Sequence, residues 1–487
     1  MDIQELLKKE SDISLIIEEL KKGRNAIAPD INLYLSQINP EKHDIFDKIK
    51  RPDKLVKVDR PEMAKDFQSL DISVLGGEKE FTKTVPVARI ALAIQKLIVK
   101  RAVSFTFGNP VTINAEPENE SEKTVLRAVK GILFDTKSRT INRRIAREIF
   151  STTEAAECWY PVEKQTEKYG FKSKWKLRVA IFSTMNGDKL FPYFDELGDM
   201  VAFSREFTID DKKGQKQVVF ETYTDTEHYL WKRDGSTWLL AEGYPKINVI
   251  GKIPVIYGRQ DLVEWSDVQI LIDRLETLLS NFADTNDYHA SPKIVVKGEV
   301  QGFSKKGESG AILQLDGEGA DARYLSWEHA PESVKLEIDT LLRMIYTITQ
   351  TPDISFENMK GIGAISGIAL KLLFMDSHLK VQEKMEIFED YLQRRISIIQ
   401  AYIGQFNTSL QSACESLTIE PEIIPFMIDD DKAKVDLLIS ANGGKAVASQ
   451  KTTVQQLGWV NDAEAEYQQI IDEKNADSYV DITEPTI

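Results

Sequence analysis

Hydrophobic positions in the first part of the chain recur at helical spacing only briefly. Ile13, Ile16, Ile17 and Leu20 make one short amphipathic helix ending near Gly23. The rest of residues 1–85 reads as loop-rich, punctuated by Pro29, Pro40, Pro52, Pro61 and Gly76-Gly77. A helix is predicted to open at Pro86, a good first-turn residue, and to run to about residue 104. Phe105-Thr106-Phe107-Gly108-Asn109-Pro110 breaks it. Two further helices are predicted over residues 120–136 and 139–156.

The period changes over residues 158–257. Segments 177–182, 200–207 and 217–223 are rich in β-branched and aromatic residues and read as strands. Tyr229-Leu230-Trp231 and Trp238-Leu239-Leu240 flank Asp234-Gly235-Ser236, a hairpin signal, and Asn186-Gly187 and Lys213-Gly214 mark further turns. This predicts an antiparallel β unit.

Helical spacing returns at 261–290, where Val268, Leu271, Leu275, Leu278 and Phe282 form one stripe. Residues 291–329 read as a small insert, with strands at 293–296 and 311–315 among six glycines. A second helix starts at Pro331, with Val334, Ile338, Leu341, Ile345 and Ile348 on one face, and stops before Thr351-Pro352. Residues 353–367 follow, with Gly361, Gly363 and Gly367 close together, and read as a mobile loop closed by an N-cap at Ser366. From Ile368 to Ile403 there is no Gly or Pro. There Val381, Met385, Phe388, Leu392, Ile396, Ile399 and Ile403 define the strongest helix of the chain. The tail predicts three short helices: 431–440, one capped by Ser449 and ending at Gly458, and one opened by Asn461 with Glu464.

Composition adds bounds to this order. At 487 residues the chain holds about three domain-sized units. With 42% hydrophobic and 29% charged residues it can build a core, which excludes wholesale disorder. The net charge of −15 argues against a protein that coats nucleic acid over its whole surface. Charge is uneven: residues 86–147 carry 12 basic and 5 acidic residues, whereas residues 429–487 carry 5 basic and 12 acidic. Two cysteines, Cys158 and Cys414, make no disulfide framework and fit assembly in a reducing compartment. No signal peptide and no membrane-spanning apolar run is visible.

The chemistry that enzymes need is missing from the motifs. The string nearest to a phosphate-binding loop, Asn442-Gly443-Gly444-Lys445-Ala446, lacks the upstream glycine and the Mg²⁺-binding hydroxyl. His43, His228, His289, His329 and His378 have no metal-ligand spacing. Asp429-Asp430-Asp431 cannot turn all three carboxylates to one ion and reads as a solvated helix start. No nucleophile elbow occurs. These readings predict no catalytic, cofactor or metal site.

The element order, together with three strings, resembles the portal (head–tail connector) proteins of tailed bacteriophages. The strings are Lys100-Arg101-Ala102-Val103-Ser104-Phe105-Thr106-Phe107-Gly108-Asn109-Pro110-Val111, the run from Gly361 into the 368–403 helix, and Ala448-Ser449-Gln450-Lys451-Thr452-Thr453 through Asp462-Ala463-Glu464-Ala465-Glu466. The resemblance covers residues 80–475 or so. It implies an α+β, mainly helical architecture with these parts: N-terminal arm 1–85, helical wing 86–157, β-rich wing 158–260 and first stem helix 261–290. Clip 291–329, second stem helix 330–351, tunnel loop 352–367, long spine helix with a return strand 368–428, and acidic helical crown 429–487 complete it.

The resemblance further implies a virion protein, assembled in the host cytoplasm, that forms a ring of about twelve copies at one capsid vertex. Double-stranded DNA passes through it without sequence readout. Its partners would be the terminase large subunit, which hydrolyses the ATP, the major capsid and scaffold proteins, and a head-completion or adaptor protein. Asp353, Glu357, Lys360, Gly361, Gly363 and Gly367 fall on the tunnel loop facing DNA. Leu271, Leu275, Leu278 and Phe282 are expected at the stem and subunit interface.

A conduit must not hold its cargo, because each Lys/Arg–phosphate contact adds affinity by releasing counterions. The tunnel-loop segment sets Lys360 alone against Asp353 and Glu357. The first stem helix sets Arg274 against Asp267, Asp273, Glu276, Asp284 and Asp287. The basic positions Lys96, Lys100, Arg101, Arg143, Arg144 and Arg147 are expected to pair with acidic groups inside the ring. Two other classes fit the same layout: a minor capsid or scaffold protein without a channel, and an enzyme with a dispersed site.

Overall fold

The computed structural model describes residues 3–9, 12–58, 70–75, 78–210, 214–289, 294–300, 315–324, 330–353, 374–426, 431–443, 445–460 and 463–480. Helices α1 (Ile3–Lys9), α2 (Ile13–Leu20) and α3 (Ile31–Ile38) open the chain, the last two started by the carboxylates of Asp12 and Asp30. An antiparallel sheet, β1 (Lys54–Val58), β2 (Leu70–Leu75) and β3 (Glu78–Val85), follows in the order β1-β3-β2. The loop-rich expectation for this stretch is corrected. Leu70, Ile72 and Val74 alternate with Asp71 and Ser73, a period of two that the surrounding prolines obscure.

Helix α4 (Ile94–Phe107) starts eight residues later than Pro86 predicts. After β4 (Thr112–Asn114), α5 (Glu120–Asp135) is capped by Asn119, which accepts from Glu122 N. Helix α6 (Ser138–Thr152) is closed by Thr153 at φ 68°. It ends short of 156 because Glu154, Ala155 and Ala156 already belong to β5 (Glu154–Thr166) and are paired there.

Strand β5 lies between β6 (Ser173–Phe182) and β13 (Val255–Arg259) in a three-stranded sheet. The strands between those two, β7 (Lys189–Phe194), β8 (Met200–Asp210), β9 (Lys216–Tyr223), β10 (Glu227–Asp234), β11 (Thr237–Leu240) and β12 (Lys246–Ile247), form a six-stranded sheet. Its order is β11-β10-β9-β8-β7, with β12 also on β10, and the predicted hairpin around Gly235 is its β10–β11 turn.

Helix α7 (Gln269–His289) leads into the antiparallel pair β14 (Ile294–Val300) and β15 (Leu315–Tyr324), and α8 (Ala330–Ile348) returns. Of the strand predicted at 311–315, only Leu315 is among the described residues, and it opens β15. The 32-residue helix α9 (Met375–Phe406) is followed by α10 (Gln411–Ser416) and by β16 (Glu420–Glu422), which pairs with β4. Helices α11 (Asp431–Asn442), α12 (Gln450–Leu457) and α13 (Ala463–Val480) complete the chain. Ser449 caps α12 and Gly458, at φ 74°, ends it, as predicted.

The chain divides into a larger unit, residues 1–352 with 377–425, and a smaller one, 353–376 with 426–487. The core of the larger unit gathers α4–α9 and one face of β5. The predicted face of α9 supplies it with Phe388, Leu392, Ile396, Ile399 and Ile403, against which Met385 packs, and Val381 of the same face is buried too. Phe388 meets Phe107 and Phe150 edge-on, with centroids 4.9 and 5.9 Å apart. Such pairs contribute about 0.5–1.5 kcal/mol each beyond area burial. A second cluster seats Ile16, Ile17 and Leu20 on Phe220, Tyr229 and Trp231 of the large sheet.

Candidate functional site

Residues 86–93, which the proline signal assigned to a helix, instead run beside α7 and use its side chains as hydrogen-bond acceptors. Ala88 N donates to Asp284 Oδ1 (2.7 Å), Ile90 N to Ser280 Oγ (2.9 Å) and Leu92 N to Glu276 Oε1 (2.8 Å). Two residues of extended chain span about 6.6 Å and four residues of helix about 6 Å, so the two spacings stay in step. This satisfies backbone donors that a helix would have paired internally.

The acidic side of α7 is therefore largely spent inside the protomer, contrary to its reading as a channel wall. Glu276 is 1% exposed and also accepts from His43 Nδ1 at 2.7 Å, while Nε2 of that ring lies 2.6 Å from the Gln37 carbonyl. Both ring nitrogens face acceptors, which fits an imidazolium. Burial lowers the His43 pKa, but the bond and charge of Glu276 outweigh it and leave it raised. Asp284 binds Arg51 at 3.1 Å and Lys54 at 3.3 Å through Oδ2. Burial raises its pKa, and the Ala88 N–H together with the Lys54 and Arg51 charges brings it below the ordinary value. Asp267 and Asp287 stay exposed.

The four stripe residues do not share one fate. Leu275 and Leu278 are buried by their own chain, Leu271 packs half-buried against the same core, and Phe282 is half-buried. Leu275, at 0% exposure, has no surface left for a neighbour. Other apolar side chains of α7 and α8 do: Ile270, Tyr288, Leu336, Met344 and Ile348 are exposed. Arg274 joins the two helices through Glu337 at 2.6 Å.

Asp353 is described, but Glu357, Lys360, Gly361, Gly363 and Gly367 lie outside the described residues. The chain on either side of that segment is fastened. Lys380 Nζ donates to Thr349 O at 3.0 Å, and the Arg101 guanidinium reaches Pro352 O and lies over the Tyr346 ring. The Glu264 side chain, 2% exposed, receives Lys380 at 2.6 Å and Lys384 at 2.9 Å. Burial raises the Glu264 pKa, yet the two ammonium groups bring it below the usual carboxylate range. Sequence reading missed this clasp. Its signal was two lysines four apart, Lys380 and Lys384, in step with Val381 and Phe388 of the apolar face.

The basic segment pairs differently from expectation. Arg143 donates to the carbonyls of Phe107 (2.9 Å) and Gly108 (3.0 Å), as Arg101 does to Pro352, rather than to carboxylates. Lys96, Lys100, Arg144 and Arg147 are exposed.

Among the described residues, no cluster of three or more His, Cys, Asp or Glu could hold a metal ion, and no helix is long and apolar enough to cross a membrane. Asp429 and Asp430 lie outside the described residues. Cys158 is buried, with its pKa pushed up to about 12 by that burial.

Residues 20–479 match the family described as "Phage portal protein, SPP1 Gp6-like". No curated protein matches the chain. Among solved structures, one similar chain comes from the neck of an empty gene transfer agent particle computed with C6 symmetry. It is 12% identical with a TM-score of 0.41, over 74% of this chain and 89% of that one. Another, from the neck of a native particle computed with C12 symmetry, is 12% identical with a TM-score of 0.39, over 75% and 88%. A third, from the virion of a native gene transfer agent particle, is 11% identical with a TM-score of 0.38, over 75% and 88%.

Proposed function

The chain belongs to the SPP1 Gp6-like phage portal proteins, and from that premise we propose that about twelve copies close into a ring at one capsid vertex. Portal proteins are structural components of the head–tail connector. In this reading the ring passes double-stranded DNA during packaging and ejection. It docks the terminase large subunit, the capsid and scaffold proteins, and a head-completion adaptor. The energy source belongs to the motor, in keeping with the missing phosphate-binding loop.

The observation that carries the reading is the family match across 20–479. We assign helices α7 and α8 to the stem, the β14–β15 insert to the clip, residues 352–367 to the tunnel loop, α9 to the spine and α11–α13 to the crown. With Leu275 and Leu278 turned inward, the stem surface available to a neighbouring copy is Ile270, Leu336, Met344 and Ile348, with Leu271 and Phe282 at its margin. No recognition helix or base-reading set is evident in the sequence, so free protein is expected to bind duplex DNA weakly and without sequence preference. Filter binding at physiological salt tests this, and a tight, sequence-specific complex would contradict the conduit.

A further inference from the structure

Two clefts of the larger unit lie at the same level of α9 but on opposite sides of it. One, about 640 Å³, uses Leu392, Arg395 and Ile396, and the other, about 960 Å³, uses Arg394, Ser397 and Ile398. At 3.6 residues per turn these two sets point about half a turn apart.

Their chemistry is complementary. The first cleft has an apolar floor that includes Val111, Ile113 and Leu133, and Phe134 stands at it 84% exposed. Lys130, Lys137 and Arg139 rim it, exposed, with no described carboxylate in ion-pair reach. The carboxylate there, Asp135, is already held by Lys176 at 2.6 Å, and the cation at the floor, Arg395, is neutralised by Glu157. The rim is thus unbalanced and positive.

On the opposite side, the β7–β8 turn Asp195-Glu196-Leu197-Gly198-Asp199 presents Leu197, 91% exposed, among three exposed carboxylates. Two cations, Lys252 and Arg394, line that cleft as well, and Lys252 is engaged by Ser397 Oγ at 2.6 Å. The tip is built before any contact. Asp195 Oδ1 accepts from Leu197 N at 2.9 Å and Asp199 N at 2.8 Å, and Gly198 supplies φ 91°. Little conformational entropy remains to be lost on docking.

We infer that this acidic tip of one copy enters the basic, Phe134-lined cleft of the next copy. Leu197 then meets the apolar floor, and Glu196 and Asp199 meet the rim cations. Because the two surfaces are different and lie on opposite sides of α9, the contact is head-to-tail, the kind that repeats around a ring until it closes. The inference rests on the ring reading and adds to it a named wing contact between neighbours.

The test is cysteine cross-linking in the full chain, with ring mass measured in parallel. A Phe134→Cys/Leu197→Cys double variant, mildly oxidised, gives a ladder of covalent multimers on a non-reducing gel. An equal mixture of the two single variants stops at the dimer, and the wild type gives no ladder. Independently of cysteine chemistry, Lys137→Glu/Arg139→Glu reduces the ring species in native mass spectrometry, and adding Glu196→Lys/Asp199→Lys to the same chain restores it. Wild-type rings with no ladder and no effect of charge reversal overturn this contact while leaving the ring standing. A protein that stays monomeric overturns both.

Discussion

Arg395 and Glu157 form a two-point ion pair, 2.6 and 2.8 Å long, with side-chain exposures of 2% and 0%, that ties the middle of α9 to β5. Trp159 Nε1 also donates to Glu157 at 2.9 Å, and Arg395 reaches Asn142 Oδ1. The pair sits where α9 crosses β5, so it fixes their relative position through hydrogen bonds in a buried setting.

Removing one partner leaves the other charged and unpaired. Glu157→Gln is expected to cost about 3–5 kcal/mol in denaturant unfolding. Replacing both, Glu157→Leu with Arg395→Met, is expected to cost less than the single change. A double variant less stable than Glu157→Gln would contradict this assignment.

The His43–Glu276 pair makes attachment of residues 30–53 depend on pH. The folded pKa of His43 lies above its ordinary 6.5. Its contribution is therefore complete below pH 6.5 and is lost as pH rises through the raised value. Amide exchange in residues 30–53 is expected to accelerate from pH 6 to alkaline pH relative to the rest of the chain, after correction for intrinsic rates. In Glu276→Gln that excess disappears.

Leu275→Ala is expected to destabilise the protomer by about 2–5 kcal/mol, as a fully buried leucine should. Ile270→Asp with Leu336→Asp, on the exposed surface of α7 and α8, is expected to leave the unfolding midpoint of the protomer nearly unchanged while lowering ring yield. Unfolding measured in parallel with native mass spectrometry separates the two effects. Equal ring loss with unchanged stability for Leu275→Ala would return that residue to the interface.

Gly361→Pro with Gly363→Pro is expected to leave the rings intact and sharply lower DNase-protected DNA in an in vitro packaging assay. The clasp of Arg101, Lys380 and Glu264 fixes the chain on either side of that segment. Stiffening between fixed ends removes the freedom that three glycines supply. Normal packaging would make residues 353–367 a plain connector.

What was legible in the sequence was periodic. The four-three spacing of Val381 through Ile403 gave α9 and its buried face, and Ser449 and Gly458 act as the caps their residue types suggest. The misplaced start of α4 shows the limit. Pro86 is compatible with a first helical turn, but Asp284, Ser280 and Glu276, nearly 200 residues away, capture the backbone donors of 88, 90 and 92. The same distant capture turned acidic residues of α7 from a channel-facing charge into internal acceptors. Periodicity marked Leu275 as apolar but not what covers it, since its neighbours in the core come from other parts of the chain.

The central claim is the ring with an axial channel. Purified full-length protein, examined by native mass spectrometry and negative-stain electron microscopy, is expected to give one closed species near 0.66 MDa, about twelve times 55.3 kDa, with an axial channel. A protein that stays at 55.3 kDa at every concentration, or an assembly without an axial opening, would contradict it.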